Sequence, residues 1–388
     1  MGTDTLGTAA AKGFDVLWGY FKKSDTFSGN FWFGGNTFHT CLDYLLNAGL
    51  ADTDGVVVNA GYSLYESLYS VTDWWRDDYG WWGDAFVLAI ENRVALGLSA
   101  PQYDGLFAAM ATAASYCWQR MNNTWSDELY GVPSDHAAAT ANIRGGVYNI
   151  PGKSCDQIMQ GRNSVSNEGY WLLSLGLARL FPSPAYAQAA AAMGTWVQQW
   201  LARTPVCHDA NGQVGILDTA CHVLERPMGN AALASWYWSG DQGLLSRALV
   251  EANTQPARAV QIVNAAIASM TDDDGILHEN LAFYAVPVLS GFLGDYATGK
   301  GIFMRSLRAV NTAGALNKFI VQNATAVWCN RHQDSGLFTF NWDRKDGYEP
   351  IDLGSKGNPL DLVITQAAGL DALNAALLVV PPDTPLPC

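Results

Sequence analysis

TDWWRDDYGWWGDAFVLAIENR, residues 72–93, sets two consecutive aspartates between pairs of tryptophans and then runs into a helix-like stretch. From Trp82 onward apolar residues recur three and four apart, the pattern of one helix face. Asp77 and Asp78 therefore stand at a helix start, framed by Trp74, Trp75, Trp81 and Trp82. Acidic residues there are ordinarily caps favoured by the helix dipole. Capping explains one aspartate, but not two enclosed by four indoles.

Hydrolysis of a glycosidic bond gives this constellation a purpose. A retaining enzyme needs two carboxyl groups roughly 5 Å apart, one as nucleophile and one as acid/base. Neighbouring residues on a bent backbone reach that spacing when both side chains point into one cleft. Tryptophan desolvates a carboxyl and raises its pKa, while a cation such as Arg76 holds a neighbour ionised. Flat aromatic rings also cover the C–H faces of pyranose sugars. Trp74, Tyr79, Trp81 and Trp82 are thus candidate substrate contacts.

Outward from this stretch the chain reads as helices separated by Gly, Pro and Asp. Helices are expected over 37–49, 61–70, 82–98, 103–121, 166–180, 184–203, 230–238, 243–253, 256–270, 301–310, 317–330 and 361–378. Strand-like runs are short, 56–59 and 337–341. A dozen helices without a sheet, some Trp-lined and others Ala-rich, suit inner helices facing a cleft and outer ones wrapping them. The expected architecture is all-α: one domain over 1–388, a barrel of six helical hairpins. The segment 122–163, with Gly145, Gly146, Pro151 and Gly152, reads as a functional loop rather than a linker.

Asp77-Asp78-Tyr79-Gly80-Trp81-Trp82 matches the Asp-Asp-x-x-Trp-Trp signature of glycoside hydrolase family 76, the endo-α-1,6-mannanases, and the sequence resembles that family beyond it. NSVSNEGYWLLSLGLARLF (163–181) is similar to the family's Asn-x-x-Ser-Asn-Glu segment opening a helix. DDDGILHEN (272–280), KGIFMRSL (300–307) and NATAVWCNR (323–331) resemble later family segments in the same order. The resemblance spans most of the chain. It implies an (α/α)6 barrel and retaining, endo-acting cleavage of α-1,6-linked mannan without metal or cofactor. By position it makes Asp77 the nucleophile and Asp78 the general acid/base. Two departures fall where they would alter substrate preference: Tyr79 replaces a position often acidic in the family, and 145–162 is longer than the family landmarks suggest. One alternative is the same fold acting on another α-linked polysaccharide by hydrolysis or transglycosylation. Another is a non-catalytic glycan-binding protein, for which two adjacent acids are more than binding requires.

Other residues carry weaker signals. Asn167 is as well placed to cap its helix as to contact sugar, and Glu168 to bind a hydroxyl or complement the dipole. Trp32 and Phe33 read as an aromatic wall or as core, and Asn59 and Tyr62 as modest subsite candidates. Asp272, Asp273, Asp274 and Gly275 lack the ligand spacing of a calcium loop and read as a solvated turn. The six histidines show no HExxH pairing, so a zinc hydrolase is unsupported.

With 22 Lys and Arg against 36 Asp and Glu, the chain repels nucleic acid and anionic membranes. No apolar run approaches membrane-spanning length. The expected working unit is a monomer acting on a polysaccharide or oligosaccharide. Cys207 and Cys221 flank the hairpin-like HDANGQVGILDTA and are expected to form a disulfide in an oxidising compartment, buried free thiols being the alternative. Sequons at Asn122 and Asn323 add a weak expectation of a secreted glycoprotein. The opening MGTDTLGTAAAKG has no apolar leader, so secretion would require one already removed, and an intracellular location is the alternative.

Overall fold

The structure, a computed structural model, describes residues 4–23, 31–60, 68–69, 75–127, 144–149, 162–202, 216–218, 220–225, 237–279, 297–343 and 359–388. Among these are eleven α helices: α1 (Leu6–Lys23), α2 (Phe31–Asn47), α3 (Arg76–Glu91), α4 (Asp104–Asn122), α5 (Ser164–Leu180), α6 (Pro184–Leu201), α7 (Ser239–Glu251), α8 (Pro256–Ser269), α9 (Gly299–Val310), α10 (Asn317–Cys329) and α11 (Pro359–Leu377). Helices α2, α3, α5, α7, α9 and α11 each pack on the next, and α11 returns to α2, closing an inner ring. Helices α4, α6, α8 and α10 lie outside it on α3, α5, α7 and α11, and α1 covers α11. This is an (α/α)6 barrel. Every inner helix starts at one end, the mouth, and finishes at the other, the base.

Residue patterns explain the two layers. Outer α8 buries Ala259, Ile262, Val263 and Ala266, one stripe at three- and four-residue spacing. Inner α7 instead buries every residue from Ser239 to Leu249, polar ones included, because it is enclosed by neighbours on all sides. Burying a side chain such as Ile262 stabilises the wall by about 1.5–3 kcal/mol. Near the mouth α3 and α5 nearly touch: a Cβ added to Gly80 would lie 3.5 Å from Gly169 Cα. Larger residues there would push the two inner helices apart.

A carboxamide recurs where loops enter the ring. Asn167 on α5 accepts the Val147 N–H at 2.8 Å and donates to Val147 and Asn163 carbonyls. Gln242 on α7 clasps Val223 the same way, and Gln366 on α11 accepts the Phe338 N–H and donates to Gly13 O. Each satisfies backbone groups that would otherwise be buried unpaired. The two ends of the chain meet: Leu6 and Gly7 N–H groups donate to Thr384 and Pro382, and a Cys329–Cys388 disulfide ties the tail to α10.

Several expectations are corrected. Helix α1 was not foreseen; Gly7, Gly13 and Gly19 interrupt its pattern, yet Leu6, Ala9, Ala10, Phe14, Leu17 and Trp18 form a buried stripe. The strand-like 56–59 is part of a π-helical turn, Val56–Ala60, because the Asp52 carboxylate takes the Val56 and Val57 N–H groups at 2.6 and 2.8 Å. Residues 337–341 form no strand and no bridge to other described residues. Cys221 keeps a free thiol, so the bridge to Cys207 does not form. The chain instead closes tightly within four residues, Asp218 Oδ1 accepting the Ala220 and His222 N–H groups, and Cys221 adopts φ 71°. Cys207 and Cys155 lie outside the described residues. Asn323 is fully buried with its amide donating to Gly275 and Phe319 carbonyls, which leaves no N–H for a glycan. Asp272 Oδ1 accepts the Asp274 and Ile276 N–H groups, a self-closed turn as expected. No described helix is long and apolar enough to cross a membrane.

Candidate active site

Helix α3 begins at Arg76, six residues before the helix expected from Trp82, which draws the acidic pair inside its first turn. Trp75 holds the cap position without a side-chain bond, and the Asn149 carbonyl accepts the Arg76 N–H at 2.6 Å. Asp77 is half-buried, and its Oδ1 accepts the Asp78 N–H at 3.1 Å. Asp78 is 4% exposed. Both carboxyls thus meet the positive end of an inner helix at the mouth, where unsatisfied N–H groups favour negative charge. Segment 144–149 bridges the mouth, touching α3 through Asn149 and α5 through Val147. Its Gly145 and Gly146 have φ of 97° and 94°, and a Cβ on Gly146 would meet Trp196 at 2.8 Å. Of the segment 122–163 expected to be a functional loop, 128–143 and 150–161 lie outside the described residues.

The aromatic frame divides. Trp82 is core: its Nε1 donates to Phe31 O at 2.7 Å and its ring packs with Phe31, Phe38 and Phe86. Tyr79 is fully buried, with Arg76 and Arg120 over its ring at 5.9 and 5.5 Å; burial raises its pKa against the pull of Arg120. Trp81, 9% exposed, leans on Trp32 at 5.4 Å and receives Arg305 at 5.8 Å. Trp32 and Phe33 are buried core. Asn59 is exposed on the turn beyond the C-terminal end of α2, at the base, away from the aspartates. Trp74 and Tyr62 lie outside the described residues. Asn167 is neither cap nor free contact, since Asn163 holds the cap position and both the amide N–H groups and carbonyl of Asn167 are engaged.

Glu168, one residue on, is 1% exposed with no hydrogen-bond partner for either carboxyl oxygen. Its pKa is raised well above the ordinary value by burial, then by Asp241 and Glu225. Asp241 lies in the first turn of α7, and Glu225 ends the described segment 220–225 that comes before that helix in the chain. The next inner helix starts with Gly299 and Lys300. Glu279 accepts the Ser239 N–H at 3.2 Å and its hydroxyl, yet burial pushes its carboxyl up to about 7 against Ser239 and Lys300. Lys300 donates to Phe340 O beneath the rings of Phe340 and Trp342 at 4.4 and 4.6 Å. Asp241, Glu225, Glu279 and Lys300 were not singled out from sequence. For Asp241 and Lys300 the signal was a charged residue inside the first turn of an inner helix; Glu225 and Glu279, well upstream of the helices starting at Ser239 and Gly299, carried none.

The helical barrel with buried acids along its inner helices has counterparts among solved structures. No family model matches the sequence, and no curated protein matches it. The GH76A α-1,6-mannanase from Salegentibacter sp. HEL1_6 superposes with a TM-score of 0.66 at 16% identity, over 97% of this chain and 100% of that one. Dfg5 from Chaetomium thermophilum in complex with glucosamine gives 0.64 at 17% identity, over 98% and 92%. The GH76 α-mannanase BT2949 from Bacteroides thetaiotaomicron gives 0.60 at 12%, over 95% of both. The fold is therefore that of the family 76 glycoside hydrolases.

Proposed function

We propose that this protein is a retaining, endo-acting glycoside hydrolase that cleaves α-1,6-linked mannan. The observation that carries the reading is the pair Asp77 and Asp78 in the first turn of an inner helix at the barrel mouth. Support comes from the Salegentibacter enzyme. Its inactive variants, with two consecutive aspartates replaced by asparagine or by alanine, are seen with α-1,6-mannotriose and α-1,6-mannotetrose. In this chain Asp77 attacks the anomeric carbon while Asp78 protonates the departing glycosidic oxygen. The resulting glycosyl ester on Asp77 is hydrolysed by water that Asp78, now a base, deprotonates. Two displacements return the starting anomeric configuration. Trp81, the least buried of the described indoles on α3, is the proposed sugar-stacking residue; the buried Tyr79 and Trp82 support it from below.

The likeness to Dfg5, seen with glucosamine, favours a second reading in which the glycan contains another sugar or an acceptor sugar replaces water. The test is incubation with α-1,6-mannan, other α-mannans and α-glucans, with products separated by chromatography and their anomers followed by NMR. Release of α-1,6-mannooligosaccharides with retained configuration is expected. Inversion would make Asp77 a general base, and inactivity on every mannan would remove the assignment.

A further inference from the structure

We infer that Asp218, His222 and Ser269 form a second hydrolytic centre, a serine triad at the barrel rim that removes acyl groups from esterified sugars. Asp218 Oδ2 lies 2.7 Å from His222 Nδ1, and His222 Nε2 lies 2.6 Å from Ser269 Oγ. A carboxylate only accepts, so Nδ1 carries the imidazole proton and Nε2 turns its lone pair to the hydroxyl. Burial would raise Asp218, but His222 holds it below the ordinary carboxylate range, an anion ready to stabilise an imidazolium. Ser269 has one proton and two acceptors in reach, His222 and the Ala265 carbonyl at 2.9 Å. The imidazole is the nearer.

The fold holds this geometry from several sides. Asp218 Oδ1 accepts the Ala220 and His222 N–H groups at 2.8 Å each, and Gln242 clasps Val223 at 2.7 and 2.8 Å. His222 is 6% exposed, its ring lying flat on that of Tyr237 with centroids 4.3 Å apart. Ser269 is exposed, as a nucleophile open to a large substrate must be. It ends α8, whose negative end favours the imidazolium. The Tyr237 hydroxyl reaches Ser269 and supplies a donor for an oxyanion. Because α8 runs back from the base, Ser269 stands on the mouth side, where Leu224 and Glu225 accept from Ser164 at the start of α5. The sugar part of the substrate, unlike the triad, rests on reading that end as glycan-binding. The Ser269 oxygen adds to the ester carbonyl while its proton passes to His222 Nε2. The bond from the acyl carbon to the sugar oxygen then breaks, and His222 returns the proton to that oxygen. Water, deprotonated by His222, cleaves the acyl-serine, releasing a carboxylic acid and restoring the hydroxyl.

The experiment treats the full chain with a fluorophosphonate, from which an activated serine displaces fluoride, and locates the adduct by peptide mass spectrometry. Hydrolysis of p-nitrophenyl acetate and acetate release from O-acetylated mannan are measured alongside. The adduct is expected on Ser269, and Ser269→Ala should slow aryl acetate hydrolysis about a hundredfold or more. Asp218→Asn should slow it comparably by presenting the wrong imidazole tautomer, with thermal unfolding reporting that the variant folds. Absence of an adduct on Ser269, or unchanged hydrolysis in Ser269→Ala, would reduce the three residues to a tether between loop and helix and overturn the inference. Aryl acetate hydrolysis without acetate release from the mannan would overturn the sugar-ester substrate. Mannan chain cleavage, read from the same incubation, separates the two activities: acetate release without cleavage removes the mannanase assignment and leaves this site.

Discussion

The mouth and the middle of the barrel both bury carboxyls, and they treat them in opposite ways. In the middle, Asp84 binds Arg247 through both oxygens at 2.7 and 3.1 Å, while His39 contacts Asp84 and Asp43 at 3.4 Å. Arg308 holds Asp43 at 3.1 Å, Arg305 reaches Asp371 at 3.4 Å, and toward the base Arg179 spans Glu91 and Glu251. This belt joins all six inner helices. Burial alone would raise Asp43 and Asp84, but Arg308 with His39, and Arg247 with His39, hold them well below the carboxylate range. At the mouth the same burial acts on Glu168 beside two acids, and its carboxyl rises. Asp371 is the belt's exception: burial raises its carboxyl to about 7 even with Arg305 3.4 Å away.

The largest effects should break this contrast from each side. Asp77→Asn or Asp78→Asn should lower mannan turnover by about a thousandfold or more, because an amide neither attacks nor donates a proton. Thermal unfolding should barely move. With an activated substrate, Asp78→Asn should accumulate the glycosyl-enzyme and be partly rescued by azide, whereas Asp77→Asn forms none. Near-normal turnover in either variant would contradict the assignment. In the belt the order reverses. Arg247→Met leaves Asp84 and Glu251 without their shared partner, and stranding a buried charge costs about 3–5 kcal/mol. Denaturant unfolding should show that loss, with any residual folded enzyme retaining its KM. A loss under about 1 kcal/mol would mean that water, not the arginine, solvates Asp84.

A middling effect concerns the closure of the ring. The Cys329–Cys388 disulfide spans 59 residues and anchors the tail that pairs with Leu6 and Gly7. Replacing both cysteines by serine should cost about 2–4 kcal/mol and loosen α1, without altering pH dependence at the mouth. Hydrogen exchange across residues 6–23 would read the loosening, and unchanged protection there would show that packing alone closes the ring.

Much of the ring was legible because helix signals are local. The apolar spacing of Pro184–Leu201 and Pro256–Ser269, with proline opening each, gave their place almost to the residue. The acidic pair was legible from its tryptophan frame, but the frame's division into core and surface was not. Trp82 turns inward because its indole N–H finds the Phe31 carbonyl, a partner 51 residues away. Asn167 reads as a cap from its neighbours and becomes a clamp through Val147, 20 residues earlier. The expected Cys207–Cys221 bridge failed for a similar reason: Asp218 closes a tighter turn than loop spacing revealed. The belt escaped sequence reading altogether, since Asp84 and Arg247 are 163 residues apart.

The finest effect tests the contrast through pH. Glu279 and Asp371 keep protons in the folded state to about pH 7, against ordinary values of 4.5 and 3.8, and Glu168 is raised in the same direction. Stability from such groups is complete below their unfolded values and is lost as pH rises through the folded ones. Asp43 and Asp84 act oppositely: their contribution is complete above the unfolded value and fades as pH falls toward the lowered folded one. The unfolding temperature should therefore peak on the acid side, at about pH 4–5, and decline toward pH 7. Glu168→Gln sharpens this, because the amide is neutral throughout and removes repulsion from Asp241 and Glu225. Its Tm should match the parent at pH 4.5 and exceed it by about 1–4 °C at pH 7.5. Calorimetric scans at the two pH values decide the point. A parent Tm climbing steadily from pH 5 to 8, or a variant lowered equally at both, would mean that Glu168 is held as a carboxylate by a favourable environment.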